Sequence, residues 1–90
     1  MLKKNGNTRE EIFNDIIEIV KNVINIDEVK GGDNIFLLGA ESLQAINIAN
    51  NIRGKYGIEF KFNLFFKLKN IDGIVDYIAD YFMADDITLI

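Results

Sequence analysis

Between Thr8 and Ile24 the apolar residues fall at helical spacing: Ile12, Phe13, Ile16, Ile17, Val20, Val23 and Ile24. Steps of three and four place them on one face, while Glu10, Asp15, Glu18 and Lys21 fall mainly on the other. Thr8 followed by Glu11 is the T-x-x-E pattern that closes a helix start, so a first helix is predicted over about residues 8–25. A second stripe is formed by Ala45, Ile48, Ala49, Ile52 and Tyr56, flanked by Leu43 and Ile46. It predicts a helix from Ser42 to Tyr56, stopped by Gly57. Ile58-Glu59-Phe60 alternates and reads as a short extended link. Asn63 is placed to cap a short helix carrying Leu64, Phe65, Phe66 and Leu68. Asn70 is placed to cap a last helix with Ile71, Ile74, Val75, Ile78 and Phe82 inward, and with Asp72, Asp76 and Asp80 on a solvated outer face.

Residues 26–41 connect the first two long helices. A connection of this length is uncommon in a compact domain unless it has a function, and its apolar cluster Ile35, Phe36, Leu37 and Leu38 predicts that it is pinned to the core. The fold class expected is therefore all-α: a four-helix bundle of three main helices and one short helix, with a long structured loop between the first two. Residues 1–7 read as a flexible tail, 8–82 as the domain and 83–90 as a second tail.

Composition narrows the chemistry. The 90 residues suit one small domain with one core. There is no Cys and no His, which removes thiol nucleophiles, zinc-finger sites and a Ser-His-Asp triad, and no metal site is expected. Acid–base catalysis near neutral pH would need a strongly shifted carboxylate or lysine, so the chain is not expected to be an enzyme by itself. The net charge of −4 disfavours nucleic acid and anionic lipid. No apolar run is long enough to span a bilayer and no signal peptide is visible, so a cytoplasmic protein is expected.

Ser42, in Leu37-Leu38-Gly39-Ala40-Glu41-Ser42-Leu43, has two readings. Local pattern alone favours a helix N-cap, for which Ser is a preferred residue. That reading is only partly supported, because Ala45 rather than Glu or Gln follows three positions later, while the alternative pair, Glu41 with Gln44, starts with a weak capping residue. The second reading is a serine that carries a phosphate-linked group. A helix start presents free N–H groups and partial positive charge, the small Gly39 and Ala40 leave the serine approachable, and Leu43 offers a partner something to grip.

The series of motifs around Ser42 resembles the acyl and peptidyl carrier proteins, the four-helix modules that bear phosphopantetheine. Leu38-Gly39-Ala40-Glu41-Ser42-Leu43 is similar to their L-G-x-D-S-L attachment motif, and Asp33-Asn34-Ile35-Phe36 to the D-N-F-F lead-in. Ile48 to Phe60, "IANNIRGKYGIEF", is similar to the exit of the second helix in carriers of modular synthetases. Phe66, Ile71 and Tyr77-Ile78 match further positions, so the resemblance spans roughly residues 10–82. It departs at Glu41, where Asp or His is usual, at Lys69, where Pro is frequent, and at Leu37, where an acid is common. From Ser42 to Lys55 there is no acid, whereas fatty-acid-synthesis carriers usually have a strongly acidic second helix, so the nonribosomal peptide or polyketide type is favoured.

The resemblance implies 4′-phosphopantetheine, donated by coenzyme A, attached covalently to Ser42, with acyl or aminoacyl groups held on the arm as thioesters. It implies a phosphopantetheinyl transferase, a loading ligase or adenylation enzyme, and condensation, ketosynthase or thioesterase partners. Leu43 is the first candidate for partner contact, with Glu41, Gln44, Asn47 and Phe65 behind it; Phe66 is read as core. A monomer is expected, either freestanding or part of a larger synthetase. The alternatives are a fatty-acid-synthesis carrier, or an unmodified interaction module that keeps the carrier fold.

Overall fold

A computed structural model describes the backbone of residues 8–89 and the side chains of residues 8–82. The tail expected over residues 1–7 lies outside the described residues, as does Ile90. The described chain holds four helices, α1 (Arg9–Ile24), α2 (Ser42–Tyr56), α3 (Leu64–Leu68) and α4 (Ile71–Leu89). It is an all-helical bundle in which α1 packs against both α2 and α4, and α3 leans on α4.

The ends of α1 follow its sequence. The Glu11 backbone N–H donates to Thr8 Oγ1 at 3.2 Å, and the Thr8 N–H donates to Glu11 Oε1 at 3.1 Å, so two donors with no partner in the helix are satisfied reciprocally. At the far end Asn25 turns left-handed with φ of 65° and donates its N–H to the Lys21 carbonyl at 2.8 Å. Between the caps, Ile12, Ile16, Val20 and Ile24 are buried, one per turn. Each contributes about 1.5–3 kcal/mol by leaving water. They meet Ala45, Ile48, Ala49 and Ile52 of α2 and Ile71, Ile74, Val75 and Ile78 of α4 in one core. The Phe60 ring is fully buried in that core, with its centroid 5.3 Å from Phe65 and 5.6 Å from Tyr77.

The long loop is held in two ways. Val29, Ile35 and Ala40 are buried in the core. The loop backbone also closes the start of α4: the Ile71 N–H donates to the Asp33 carbonyl and the Asp72 N–H to the Gly31 carbonyl, both at 2.9 Å. Asn70 Oδ1 accepts from the Gly73 N–H at 2.8 Å, as expected of its cap position. Three donors that a helix start leaves open are thus filled, two by residues nearly forty positions upstream.

Three expectations are corrected. The apolar loop cluster is not uniformly pinned: Ile35 is buried, but Leu37 is 90% exposed, because the chain turns there and points it outward. The last helix does not end near Phe82 but continues to Leu89, so residues 83–89 are helical rather than a tail. The outer face of α4 is not simply solvated. Arg9 Nε donates to Asp76 Oδ1 at 2.8 Å, and its guanidinium lies 3.9 Å from Asp72. These groups are about half exposed, so the pairs contribute at most about 1 kcal/mol.

A second polar link joins α1 to α2. Tyr56 donates its hydroxyl to Asp15 Oδ2 at 2.9 Å, and Lys55 Nζ stands 3.9 Å from the same oxygen. Burial, followed by that hydrogen bond and the Asp15 charge, raises the Tyr56 hydroxyl well above the ordinary phenol range.

Candidate functional site

The route from the loop into α2 is built residue by residue. Asp33 Oδ2 accepts the Lys30 N–H at 2.8 Å and tightens the turn that contains the two glycines. Asn34 Oδ1 accepts from the N–H of Phe36 at 2.8 Å and of Leu37 at 3.3 Å, which starts the next turn in the manner of an Asx cap. That turn closes when the N–H groups of Gly39 and Ala40 reach the carbonyls of Phe36 and Ile35, at 3.1 and 3.0 Å. Gly39 sits at φ of 111°, a conformation that side chains rarely adopt, so glycine is required there by the backbone. Ala40 is buried; its small side chain fits the loop to the core and does not itself clear space around Ser42, which corrects the expectation for this residue.

The chain then enters α2 one residue earlier than a serine cap would require. Glu41 is the N-cap residue, extended at φ −93° and ψ 172°, and Ser42 is the first helical residue. The Glu41 N–H donates to Gln44 Oε1 at 2.8 Å. The N-cap reading of Ser42 is therefore overturned: the Glu41 and Gln44 pair holds the helix start. Ser42 is exposed, and among the described residues its hydroxyl has no hydrogen-bond partner. Local electrostatics favour an anion at this position. The first turn of α2 carries no acidic residue after the cap, and the helix dipole places partial positive charge on its N–H groups.

The other candidate residues divide by exposure. Leu43 is 69% exposed, so its side chain is open to a partner. Glu41 and Asn47 are also exposed, and Gln44 is half-buried in its capping role. Phe65 and Phe66 exchange the places expected of them. Phe65 is 2% exposed and packs on Phe60, so it offers no surface to a partner, whereas Phe66 is 63% exposed. The Phe66 ring stacks on Phe36 at 5.0 Å between centroids with 12° between planes, and Phe62 meets Phe66 edge-on at 6.5 Å. α3 and the loop that leads to Ser42 are thus joined by aromatic contact.

The family model for the phosphopantetheine attachment site matches residues 14–78. The chain belongs to this family. It is a carrier domain, and the group the family carries is 4′-phosphopantetheine, bound covalently through a serine. Carrier domains work with partner enzymes that include a phosphopantetheinyl transferase. The residues present fit such an arm: an exposed hydroxyl with no competing bond, at a helix start suited to a phosphate. One further sequence signal bears on the site: Ser42 is the only serine of the 90 residues. No helix among the described residues is long and apolar enough to cross a membrane.

Proposed function

We propose that Ser42 is the attachment point and that the domain carries acyl or aminoacyl groups for nonribosomal peptide or polyketide-type synthesis. One observation carries the attachment: a family that binds its arm through serine, in a chain whose single serine stands exposed with an unbonded hydroxyl at the start of α2. The thiol of the arm supplies the thioester chemistry that a chain without Cys cannot. The protein's own part is to present Ser42 Oγ to a transferase, to keep the helix start closed through Glu41 and Gln44 while it does so, and to offer Leu43 beside the arm. The base that takes the serine proton belongs to the transferase, since this chain has no His. Loading ligases or adenylation enzymes and condensation, ketosynthase or thioesterase partners fit this role. A cytoplasmic monomer is the simplest setting for exchange among them.

The synthetase type is supported by α2, which has no acid from Ser42 to Lys55 and ends in Arg53 and Lys55. A fatty-acid-synthesis carrier is the second reading, and Glu41 at the usual Asp position motivates a third, an unmodified module. Incubation with coenzyme A and a broad-specificity transferase separates the third from the others. The expected product gains the mass of one arm, and Ser42→Ala gains nothing. An unchanged wild-type mass, with a control carrier modified in parallel, refutes arm attachment.

A further inference from the structure

The charge of this protein is divided unevenly. The whole chain is at −4, yet residues 42–69 hold five basic residues and one acid, Glu59. From Phe60 to Ile71 there are three lysines, Lys61, Lys67 and Lys69, and no acid. Arg53 and Lys55 have partners within the fold, Arg53 with Asn50 and Lys55 with Asp15. Lys61, Lys67 and Lys69 are exposed, and among the described residues none lies within ion-pair distance of a carboxylate. In the sequence they flank the exposed aromatic rings, Lys61 beside Phe62 and Lys67 beside Phe66, which are 40% and 63% exposed. An open depression of about 310 Å³ beside Phe62 is lined by Glu59, Lys61, Asn63, Leu64 and Tyr77.

We propose that the cluster of Phe36, Phe62 and Phe66, together with the exposed Lys61, Lys67 and Lys69 of the same segment, forms a docking surface for an acidic protein face, one that presents carboxylates around an apolar patch. The inference deepens the carrier reading and rests on it for the partner's biological role. Charge complementarity selects the partner. The acids among the described residues lie mainly on α1, α4 and the early loop, whereas the segment from Ser42 to Lys69 is basic. Aromatic rings supply contact area at low entropic cost, while exposed lysines steer association and fix its sign without making it tight. Such a surface suits a domain that must bind and release in turn. Phe36 ties it to the attachment site, because Ala40, two residues before Ser42, is bonded to the carbonyl beside Phe36. A lipid surface fits less well. α3 has only five residues, and one face of the Phe66 ring is covered by Phe36, which leaves no continuous apolar helix face to lie in an interface.

The test uses the full-length Ser42→Ala protein, labelled with ¹⁵N, so that failure of docking and failure of arm attachment are read separately. It is titrated with a synthetic amphipathic helical peptide that has leucine and tryptophan on one face and glutamates along the flanks. The same peptide with lysines in place of the glutamates, and phosphatidylglycerol vesicles, are titrated in parallel. The glutamate peptide is expected to shift the amides of Phe36 and residues 61–69 saturably, more weakly as salt is raised. Affinity is expected to fall about tenfold in Lys61→Glu/Lys67→Glu/Lys69→Glu. It is also expected to fall in Phe66→Ala, whose exposed site keeps the fold intact. Equal binding of the two peptides, shifts confined to other residues, binding to vesicles but not to the glutamate peptide, or concentration-dependent self-association through the lysines in place of peptide binding each overturn the proposal.

Discussion

Gln44 Oε1 accepts the Glu41 backbone N–H at 2.8 Å, and this bond holds the start of α2 without the Ser42 hydroxyl. The division of labour has a measurable consequence. Ser42→Ala is expected to leave thermal stability within about 0.5 kcal/mol of wild type, since it removes an exposed group that makes no bond. The same variant is expected to abolish arm attachment. A large loss of stability in Ser42→Ala would show that the hydroxyl is structural after all.

The reverse is expected at the cap. Gln44→Ala removes the acceptor and is expected to destabilise the fold by about 0.5–1.5 kcal/mol. Glu41→Asp places a better capping side chain at an extended N-cap residue and is expected to stabilise by a few tenths of a kcal/mol or more. Chemical denaturation of both variants checks the pair of signs.

Gly73 is constrained by contact, not by dihedral angle. A Cβ there would overlap the Leu68 carbonyl oxygen, a backbone atom that cannot swing aside. Gly73→Ala is expected to cost about 1–3 kcal/mol and to loosen the junction of α3 and α4. Gly39→Ala is expected to cost a similar amount, about 1–3 kcal/mol, for a different reason, the positive φ with open space around it. Urea unfolding gives both values, and a neutral Gly73→Ala would refute the packing account.

Tyr56 sets an alkaline limit. Its folded pKa lies above the unfolded value of about 10, so the native state holds that proton more tightly. The stability this contributes is fully present below pH of about 10 and is lost as pH rises above it through the folded value. Tyr56→Phe removes the hydroxyl that donates to Asp15, and with it this part of the pH dependence. Denaturation midpoints measured on both proteins through the alkaline range check the difference in slope.

The Phe36 and Phe66 stack predicts energetic coupling between the loop and α3. Phe36→Ala, Phe66→Ala and the double variant are expected to give a coupling energy of about 0.5–1.5 kcal/mol. Additive losses would mean that the rings touch without cooperating.

The long helices could be read from the chain because each carries its own signals. α1 shows both its capping box and four core residues at the right spacing, and α2 shows its stripe and its terminal glycine. α3 could not be oriented in this way. Five residues with adjacent phenylalanines define no face, so only the packing of Phe65 on Phe60 decides which ring turns inward. The bonds from Gly31 and Asp33 to α4 were equally hidden, since they involve backbone atoms that carry no residue-specific pattern. The extension of α4 is not legible in the sequence, because Ile87, Leu89 and Ile90 fit packing and fraying equally well. At the site, the motif around Ser42 is legible in the sequence, but the one-residue shift of the cap, from Ser42 to Glu41, needed the backbone.

The two carbonyls that close α4 also set an order of events. Helical turns form from neighbouring residues and form quickly, whereas contacts between residues 31–33 and 71–72 must wait for a long stretch of chain to come together. During synthesis, Ser42 leaves the ribosome well before the residues that latch its loop. The serine is emitted early but framed late, so an enzyme that requires the finished loop would act only on a chain whose final helix is in place, and attachment of the arm would serve as a receipt for completed folding.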